Sequence, residues 1–133
     1  MILNEKIKNG YEPECLTDIA ATLEKHKEQK SGVIETMNFM LSEDCGFTEG
    51  HISACAAILD VFCDMLKFSS GNKSNIMHEV KNVVCALNAL NESADCALIE
   101  TDEREQLYEF IDGAAKIAGL VTDEDITEEW RDW

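Results

Sequence analysis

Apolar positions recur every three to four residues from Pro13 almost to the end of the chain, which is the period of an amphipathic α-helix. Proline suits the first position of a helix, so the sequence predicts a first helix that begins near Pro13. Residues 24–30 are all polar, and Ser31-Gly32 is predicted to break this helix. The apolar pattern then resumes and predicts a second helix that ends near Cys45-Gly46.

The clearest apolar stripe follows Thr48, which is suited to cap a third helix. Phe47 before this cap and Ile52 after it have the spacing of a hydrophobic staple. The stripe consists of Ile52, Cys55, Ala56, Leu59, Phe62, Cys63 and Leu66. Loop composition over residues 69–74 separates it from a fourth helix. The predicted buried face of that helix is formed by Ile76, Val80, Val83, Val84, Leu87 and Leu90.

Thr101 is predicted to cap a fifth helix. Asp102 and Glu103 fall in its first turn, where acids complement the helix dipole. Gly119 fits the position just after the last turn. A last segment begins at Thr122 and places Ile126, Trp130 and Trp133 on one helical face.

Signals for β-strands are nearly absent, since there is no sustained alternation of apolar and polar residues. The predicted fold is therefore all-α, a compact bundle of four to five antiparallel helices with a short C-terminal helix. The 133 residues are enough for one domain. Within it, we expect residues 1–12 to be a disordered lead and residues 122–133 a short amphipathic segment.

No apolar run approaches the roughly 20 residues of a membrane span, and Met1-Ile2-Leu3 is followed at once by polar residues. The sequence predicts neither a transmembrane helix nor a signal peptide, and therefore a cytoplasmic protein. In that compartment the six cysteines are expected to be reduced. Their spacing fits no familiar zinc pattern, and we interpret them as small core residues, with Cys55 and Cys63 on the apolar stripe.

The acidic charge is concentrated toward the end of the chain. The net charge of −16 divides into −1 for residues 1–30, −4 for residues 31–91 and −11 for residues 92–133. The electric field of such a concentration of negative charge repels nucleic acid and accelerates encounter with a basic protein. Two alternatives stay open: the acids maintain solubility, or they pair internally with Lys25, Lys27 and Lys30. Asp60 and Asp64, one turn apart on the third helix, are expected to face solvent.

Catalytic and metal-binding patterns are missing from the sequence. None of the three histidines has a Glu three residues before it, so the Glu-x-x-His pattern of helical metal sites does not occur. His51 and Cys55 lie one turn apart, but two ligands without a second pair are weak evidence for a metal site, and His51 is better interpreted as a structural residue at the start of its helix. No Gly-x-Ser-x-Gly motif or Gly-rich phosphate loop is present. We expect no enzyme activity, no cofactor and no bound metal.

The C-terminal tryptophans and the acids near them are the candidate binding residues. Tryptophan is a frequent interface anchor, and surrounding acids would supply steering and a polar rim. The candidate partner-binding residues are Trp130, Trp133, Glu103, Asp123, Glu124, Asp125, Glu128 and Glu129. The alternative, in which both tryptophans dock into a groove between earlier helices, stays open.

These observations predict a non-catalytic protein that binds a basic partner. Within that class we expect a stoichiometric inhibitor that blocks a nucleic-acid-binding protein, of the anti-defence type carried by phages and mobile elements, or an immunity protein against a toxin. No direct contact with nucleic acid or membrane is expected. One alternative is a homo-oligomeric structural or adaptor protein, since Phe39 and Phe68 lie off the apolar stripes and a dimer would bury them. Another is a small metal-binding or redox protein that uses His51 with nearby cysteines and acids.

One internal similarity bears on the fold. Residues 42–49 and 93–100 match at Ser, Asp, Cys and Glu with an offset of 51 residues. The match is explained either by a duplicated helical hairpin or by chance among residues typical of helix ends.

Overall fold

The computed structural model describes the backbone of residues 12–133 and the side chains of residues 18–133. Its helices are α1 (Glu12–His26), α2 (Ser31–Met40), α3 (Glu49–Leu66), α4 (Lys73–Ser93) and α5 (Thr101–Ile117). A 3₁₀ turn, Lys27–Lys30, joins α1 to α2. Residues 12–133 contain no β-strand, which confirms the all-α prediction. The predicted disordered lead lies outside the described residues except for Glu12, the first residue of α1.

The predicted break at Ser31-Gly32 is wrong. His26, Lys30 and Ser31 all have right-handed helical backbone angles, so α1, the 3₁₀ turn and α2 follow one another without a loop. The chain first leaves helical geometry at Leu41, with φ −67° and ψ 126°, a few residues before the predicted end of the second helix. Between α1 and α2 the helix only tightens to 3₁₀ geometry over residues 27–30, and the chain does not reverse direction there.

The helices pack around one core. The α1–α2 segment lies against α3 and α5, α3 lies against α4, and α4 lies against α5. The largest side chains that are fully buried include Leu23, Met37, Leu59, Leu66, Leu87 and Leu107. Burying a side chain of this size contributes about 1.5–3 kcal/mol. The apolar stripes predicted from the sequence thus supply the core.

Side chains and turns at the helix ends satisfy backbone groups that have no partner within the helix. At the start of α3, the Thr48 backbone N–H donates to His51 Nδ1 at 3.0 Å, which gives His51 the structural role predicted for it. At the start of α5 the capping residue is Glu100, one residue before the predicted Thr101. The Glu100 N–H donates to Glu103 Oε1 at 3.2 Å.

Gly119 ends α5 as predicted. Its φ of +117° lies in the left-handed region, which favours glycine. The N–H groups of Gly119 and Leu120 donate to the carbonyl oxygens of Lys116 and Ala115, each at 3.0 Å. This pair of bonds is a Schellman motif, and the buried Leu120 supplies its apolar contact.

The two similar segments meet in space but differ in conformation. A β-carbon added to Gly46 would lie 2.8 Å from Cβ of Ala97, the residue that corresponds to it under the 51-residue offset. Cys45 is partly buried and its Sγ donates to the Phe47 carbonyl at 3.0 Å. The corresponding Cys96 is exposed and has a φ of +63°. The sequence similarity therefore does not extend to local structure.

Candidate functional site

Residues 120–133, named here the C-terminal segment, contain most of the candidate binding residues. They do not form the short helix predicted for them: the chain makes turns over residues 126–130, with Trp130 and Arg131 N–H groups donating to the Thr127 carbonyl. Leu120 and Ile126 are buried, and Thr127 is completely buried. These residues fix the segment to the helices.

Asp125 organises the middle of the C-terminal segment. Its Oδ1 accepts hydrogen bonds from the Thr127 N–H at 2.9 Å and from the Thr127 hydroxyl at 2.6 Å. Its Oδ2 lies 3.2 Å from Nη1 of Arg131, which forms an ion pair with it. The pKa of Tyr108 on α5 is raised above its ordinary value, mainly by burial and to a smaller extent by the nearby carboxylates of Asp112 and Asp125.

Asn88 on α4 holds the end of the segment with both atoms of its side-chain amide. Its Nδ2 donates to the Trp130 carbonyl at 2.7 Å, and its Oδ1 accepts from the Asp132 N–H at 3.0 Å. Two hydrogen bonds from one planar group fix both the position and the orientation of the backbone between them. No local sequence signal marks an asparagine inside a helix as such a clamp, so Asn88 was not among the predicted site residues.

Trp130 and Trp133 are half-buried and pack against the core, so the structure places both in the docked arrangement that the sequence left open. Cζ of Arg131 lies 5.8 Å from the centroid of the Trp133 ring. Nε1 of Trp133 is buried and has no hydrogen-bond partner among the described residues. The indole rings therefore hold the segment in place and present only part of their surface to solvent.

The acids among the candidate residues fall into separate groups. Glu103 is only 6% exposed and caps α5, and Asp125 is engaged within the segment. Asp123, Glu124, Glu128 and Glu129 are exposed. We call these last four residues the acidic face. The structure therefore brings four of the predicted carboxylates to the surface of one fixed segment, with Glu103 apart from them at the far end of α5.

The lysines of the first helical segment do not neutralise the acidic C-terminal third. Lys27 Nζ lies 2.8 Å from Asp64 and 3.0 Å from Glu24, and Lys30 Nζ lies 3.0 Å from Asp60. Both aspartates belong to α3, and the side chains of Asp60 and Asp64 are 38% and 48% exposed, so they lie on its polar side as expected but are held in ion pairs. The alternative in which Lys27 and Lys30 pair with the acidic third is wrong, because both lysines pair with these aspartates of α3.

This ion-pair cluster predicts a defined dependence of stability on pH. The Lys27 ammonium, which donates to Asp64, is the main reason why the pKa of Asp64 falls below its ordinary value of 3.8. A carboxyl with a lower pKa in the folded state stabilises folding above its unfolded pKa, and this contribution is lost as the pH falls through the folded pKa. Because the carboxyl is about half exposed, we expect Asp64→Asn to lower the free energy of unfolding by less than about 1 kcal/mol at pH 7. The difference should vanish near pH 2, as measured by urea unfolding.

The control for that experiment is Asp44→Asn, which removes an exposed carboxyl that makes no ion pair among the described residues. It should leave stability unchanged at both pH values. An Asp64→Asn effect that persists at pH 2 would show that the substitution acts through packing and not through charge.

The unpaired indole N–H of Trp133 predicts that phenylalanine and alanine at this position affect stability differently. A buried donor without a partner costs about 1–3 kcal/mol, and phenylalanine lacks this donor while keeping an aromatic ring. We therefore expect Trp133→Phe to be as stable as the wild type or more stable. Trp133→Ala, which removes half-buried apolar surface, should lower the free energy of unfolding by about 1–2 kcal/mol. Thermal or urea unfolding of both variants measures this, and equal losses would contradict it.

The histidines and cysteines do not converge on a site. His26 Nε2 donates to the Phe110 carbonyl at 3.0 Å, His51 is used in the α3 cap, and His78 is exposed. Among residues 18–133, whose side chains the structure describes, no group of three or more His, Cys, Asp or Glu side chains could hold a metal ion. The metal-binding alternative therefore gains no site from the structure.

The cysteines lie in two different environments. Cys55 and Cys63 are buried as predicted, and burial raises the pKa of each thiol to about 12. Cys85 and Cys96 are exposed, so the interpretation of all the cysteines as core residues is wrong for these two. The side chain of Cys15 lies outside the described residues. All five cysteines whose side chains are described are free thiols.

Comparison of the chain with protein-family models, curated protein sequences and solved structures found no match. No helix among the described residues is long and apolar enough to cross a membrane.

Proposed function

We propose that this chain is a non-catalytic protein-binding module that presents its acidic face to a basic surface of a partner protein. The observation that carries the proposal is the exposure of Asp123, Glu124, Glu128 and Glu129 on a segment clamped by Asn88. A carboxylate whose backbone is already ordered loses less conformational entropy on binding than one on a free tail. A fixed acidic surface also steers a basic partner toward it over long range.

The carboxylates outnumber the cations in this part of the chain. Residues 92–133 contain 14 acids and three bases. Lys116 is paired with Asp112 at 3.0 Å and Arg131 with Asp125 at 3.2 Å. Pairing within this third therefore leaves most of its negative charge available to a partner.

The two tryptophans and two of the acids have supporting roles in this proposal. Trp130 and Trp133 anchor the segment, and their exposed edges complete the contact with the partner. Asp125 maintains the turn by binding Thr127 and Arg131, and Glu103 orders the start of α5. Direct electrostatic contact is assigned to the acidic face.

The specific role proposed is that of a stoichiometric inhibitor in the cytoplasm, of the phage or mobile-element anti-defence type or the toxin immunity type. Carboxylates on a rigid surface can occupy a site that a partner uses for nucleic acid phosphates. We also propose that neighbouring helices are antiparallel. In support, the pairs Lys27–Asp64 and Lys30–Asp60 join residue numbers that rise along α1–α2 and fall along α3.

A second candidate function, a homo-oligomeric adaptor, is favoured by exposed apolar side chains. Phe68, just after the last residue of α3, is 84% exposed. Large aromatic side chains at such exposure are typical of a surface that is covered in an assembly. Binding a partner and binding a second copy would use different surfaces and are compatible.

The proposed function is tested by affinity capture from a lysate of the source organism or its host at about 0.1 and 0.5 M salt. Raising the salt shortens the Debye length from about 10 Å to about 4 Å. We expect one partner at low salt, lost at high salt and lost in the variant Asp123→Asn/Glu124→Gln/Glu128→Gln/Glu129→Gln.

A matched control neutralises acids elsewhere on the surface. Glu28, Glu35, Glu43 and Asp44 are exposed, lie outside the C-terminal segment and make no ion pair among the described residues. The variant Glu28→Gln/Glu35→Gln/Glu43→Gln/Asp44→Asn, which also neutralises four carboxylates, should retain the partner. Equal loss in both variants would mean that net charge alone is responsible, and no salt-dependent partner for the wild type would refute the proposed function.

A further inference from the structure

One side of α3 carries a stripe of uncharged residues that are exposed or partly buried. Each member lies three or four residues from another, so they share one helical face. The α3 stripe consists of Ala54, Ala57, Ile58, Val61, Met65 and Phe68. Val61 is 57% exposed, Met65 41% and Phe68 84%. Phe68 follows the last helical residue, and its N–H donates to the Met65 carbonyl at 3.1 Å, so the helical turn continues to it.

The stripe borders an apolar groove between α3 and α4. The groove has a volume of about 250 Å³ and includes Val83 and Ala86 of α4 on its far wall. Glu79 is the one charged residue in its lining. The lining of the groove is therefore apolar except for Glu79 and Asn82. Asp64, whose side chain is 48% exposed and paired with Lys27, lies three residues from Val61 at the edge of the stripe.

We propose that the α3 stripe binds the α3 stripe of a second copy of this chain, with the two helices antiparallel about a twofold axis at Val61. Phe68 and Ala54 each lie seven residues from Val61, and Met65 and Ala57 each lie four residues from it. An axis at Val61 therefore sets Phe68 of each copy against Ala54 of the other, and Met65 against Ala57. Large side chains meet small ones on both sides of the axis, which is the condition for close packing between helices.

The size of the face suits a dimer. An α-helix of 18 residues is about 27 Å long, and neighbouring helices lie about 8–10 Å apart. Seen face-on, the surface formed by α3 and α4 therefore measures about 27 Å by about 20 Å. Its accessible area is larger than this flat rectangle, because the side chains protrude from it. Specific dimers bury roughly 800 Å² on each partner, which is within reach of this face.

The charge distribution selects the same surface for self-association. Two copies that each carry a net charge of −16 repel one another, so they can meet only where few acids lie between them. The α3 stripe has no charged residue. Asn88, which holds the C-terminal segment, lies two residues beyond Ala86 and thus about 200° around α4 from the groove. The dimer leaves the acidic face of each copy outside the contact.

This inference rests on the second candidate function, the homo-oligomeric adaptor, and names its contact surface; it uses neither the acidic face nor a partner protein, so its failure leaves the partner-binding proposal standing. Its test is sedimentation equilibrium or light scattering of the full chain from about 1 to 300 µM. We expect a reversible dimer that tightens or is unchanged between about 0.15 and 0.5 M salt, since salt screens repulsion and does not weaken apolar contact. A chain that stays monomeric over this range overturns the proposal.

Variants of the stripe test the twofold register. Val61→Glu places two carboxylates together at the axis and should weaken the dimer at least 10-fold. Ala54→Phe and Phe68→Ala should each weaken it to a similar extent, whereas the double variant Ala54→Phe/Phe68→Ala restores a large side chain opposite a small one. We expect the double variant to dimerise within about threefold of the wild type; a double variant no tighter than the singles overturns this arrangement.

Phe39 supplies the matched control. It is as exposed as Phe68 but belongs to α2, outside the α3 stripe. Phe39→Ala should leave the dimer intact, whereas Phe68→Ala weakens it. None of the substituted positions is buried, and circular dichroism verifies that each variant is folded. Dissociation by Phe39→Ala, with Phe68→Ala unaffected, would place the contact elsewhere and overturn the proposal.

Discussion

Replacing Asn91 with alanine is expected to lower the free energy of unfolding by about 2–4 kcal/mol, because it leaves two buried backbone donors without an acceptor. Asn91 is 4% exposed, and its Oδ1 accepts hydrogen bonds from the N–H groups of Leu98 and Ile99 at 3.1 and 2.9 Å. Leu98 and Ile99 are themselves buried, so water cannot replace the lost acceptor. Urea unfolding followed by circular dichroism measures the loss.

The control for Asn91→Ala is Asn82→Ala, on the same helix but exposed. Because alanine favours helix more than asparagine does, the control should be as stable as the wild type or slightly more stable. If Asn91→Ala falls within about 0.5 kcal/mol of the control, the side chain of Asn91 does not order the connection between α4 and α5.

Replacing Asn88 with alanine is expected to release the end of the C-terminal segment from α4. The substitution removes both bonds to the backbone of residues 130–132, at 2.7 and 3.0 Å, and should lower the free energy of unfolding by about 1–3 kcal/mol. The protein has two tryptophans, and both lie in this segment. Their fluorescence therefore reports on docking directly, and we expect the emission to shift to longer wavelength as the rings become exposed.

Asn82→Ala serves again as the control and should leave the emission unchanged. Retention of the wild-type emission in Asn88→Ala would mean that the indole rings alone hold the segment. In that case the clamp is not what orients the acidic face.

The periodicity of apolar residues predicted the helices and most of the core. Residues three to four positions apart lie on one face of a helix, and that face packs against the other helices. The prediction failed at Ser31-Gly32, where the local composition indicates a break. The polar side chains before this point bind carboxylates of α3, and His26 donates to α5, so tertiary contacts keep the backbone helical. Such contacts join residues about 30 or more positions apart and leave no mark in a local pattern.

The candidate site was predictable in part. The prediction that Ile126, Trp130 and Trp133 share one face of a helix is wrong, because residues 126–130 form turns. All three residues nevertheless pack against or within the core. The sequence left open whether the acids are exposed or paired internally, and the structure places Asp123, Glu124, Glu128 and Glu129 at the surface. The capping role of Glu103 and the clamp at Asn88 were not predicted, since each depends on which backbone group the fold brings next to the side chain.

We propose that the C-terminal segment is the surface that meets a partner. Amide hydrogen exchange of the free chain and of its complex with the protein recovered at low salt tests this most directly. We expect the amides of residues 121–133 to exchange more slowly in the complex, with little change along the α3 stripe. Unchanged exchange over residues 121–133, together with slower exchange on another surface, would contradict it.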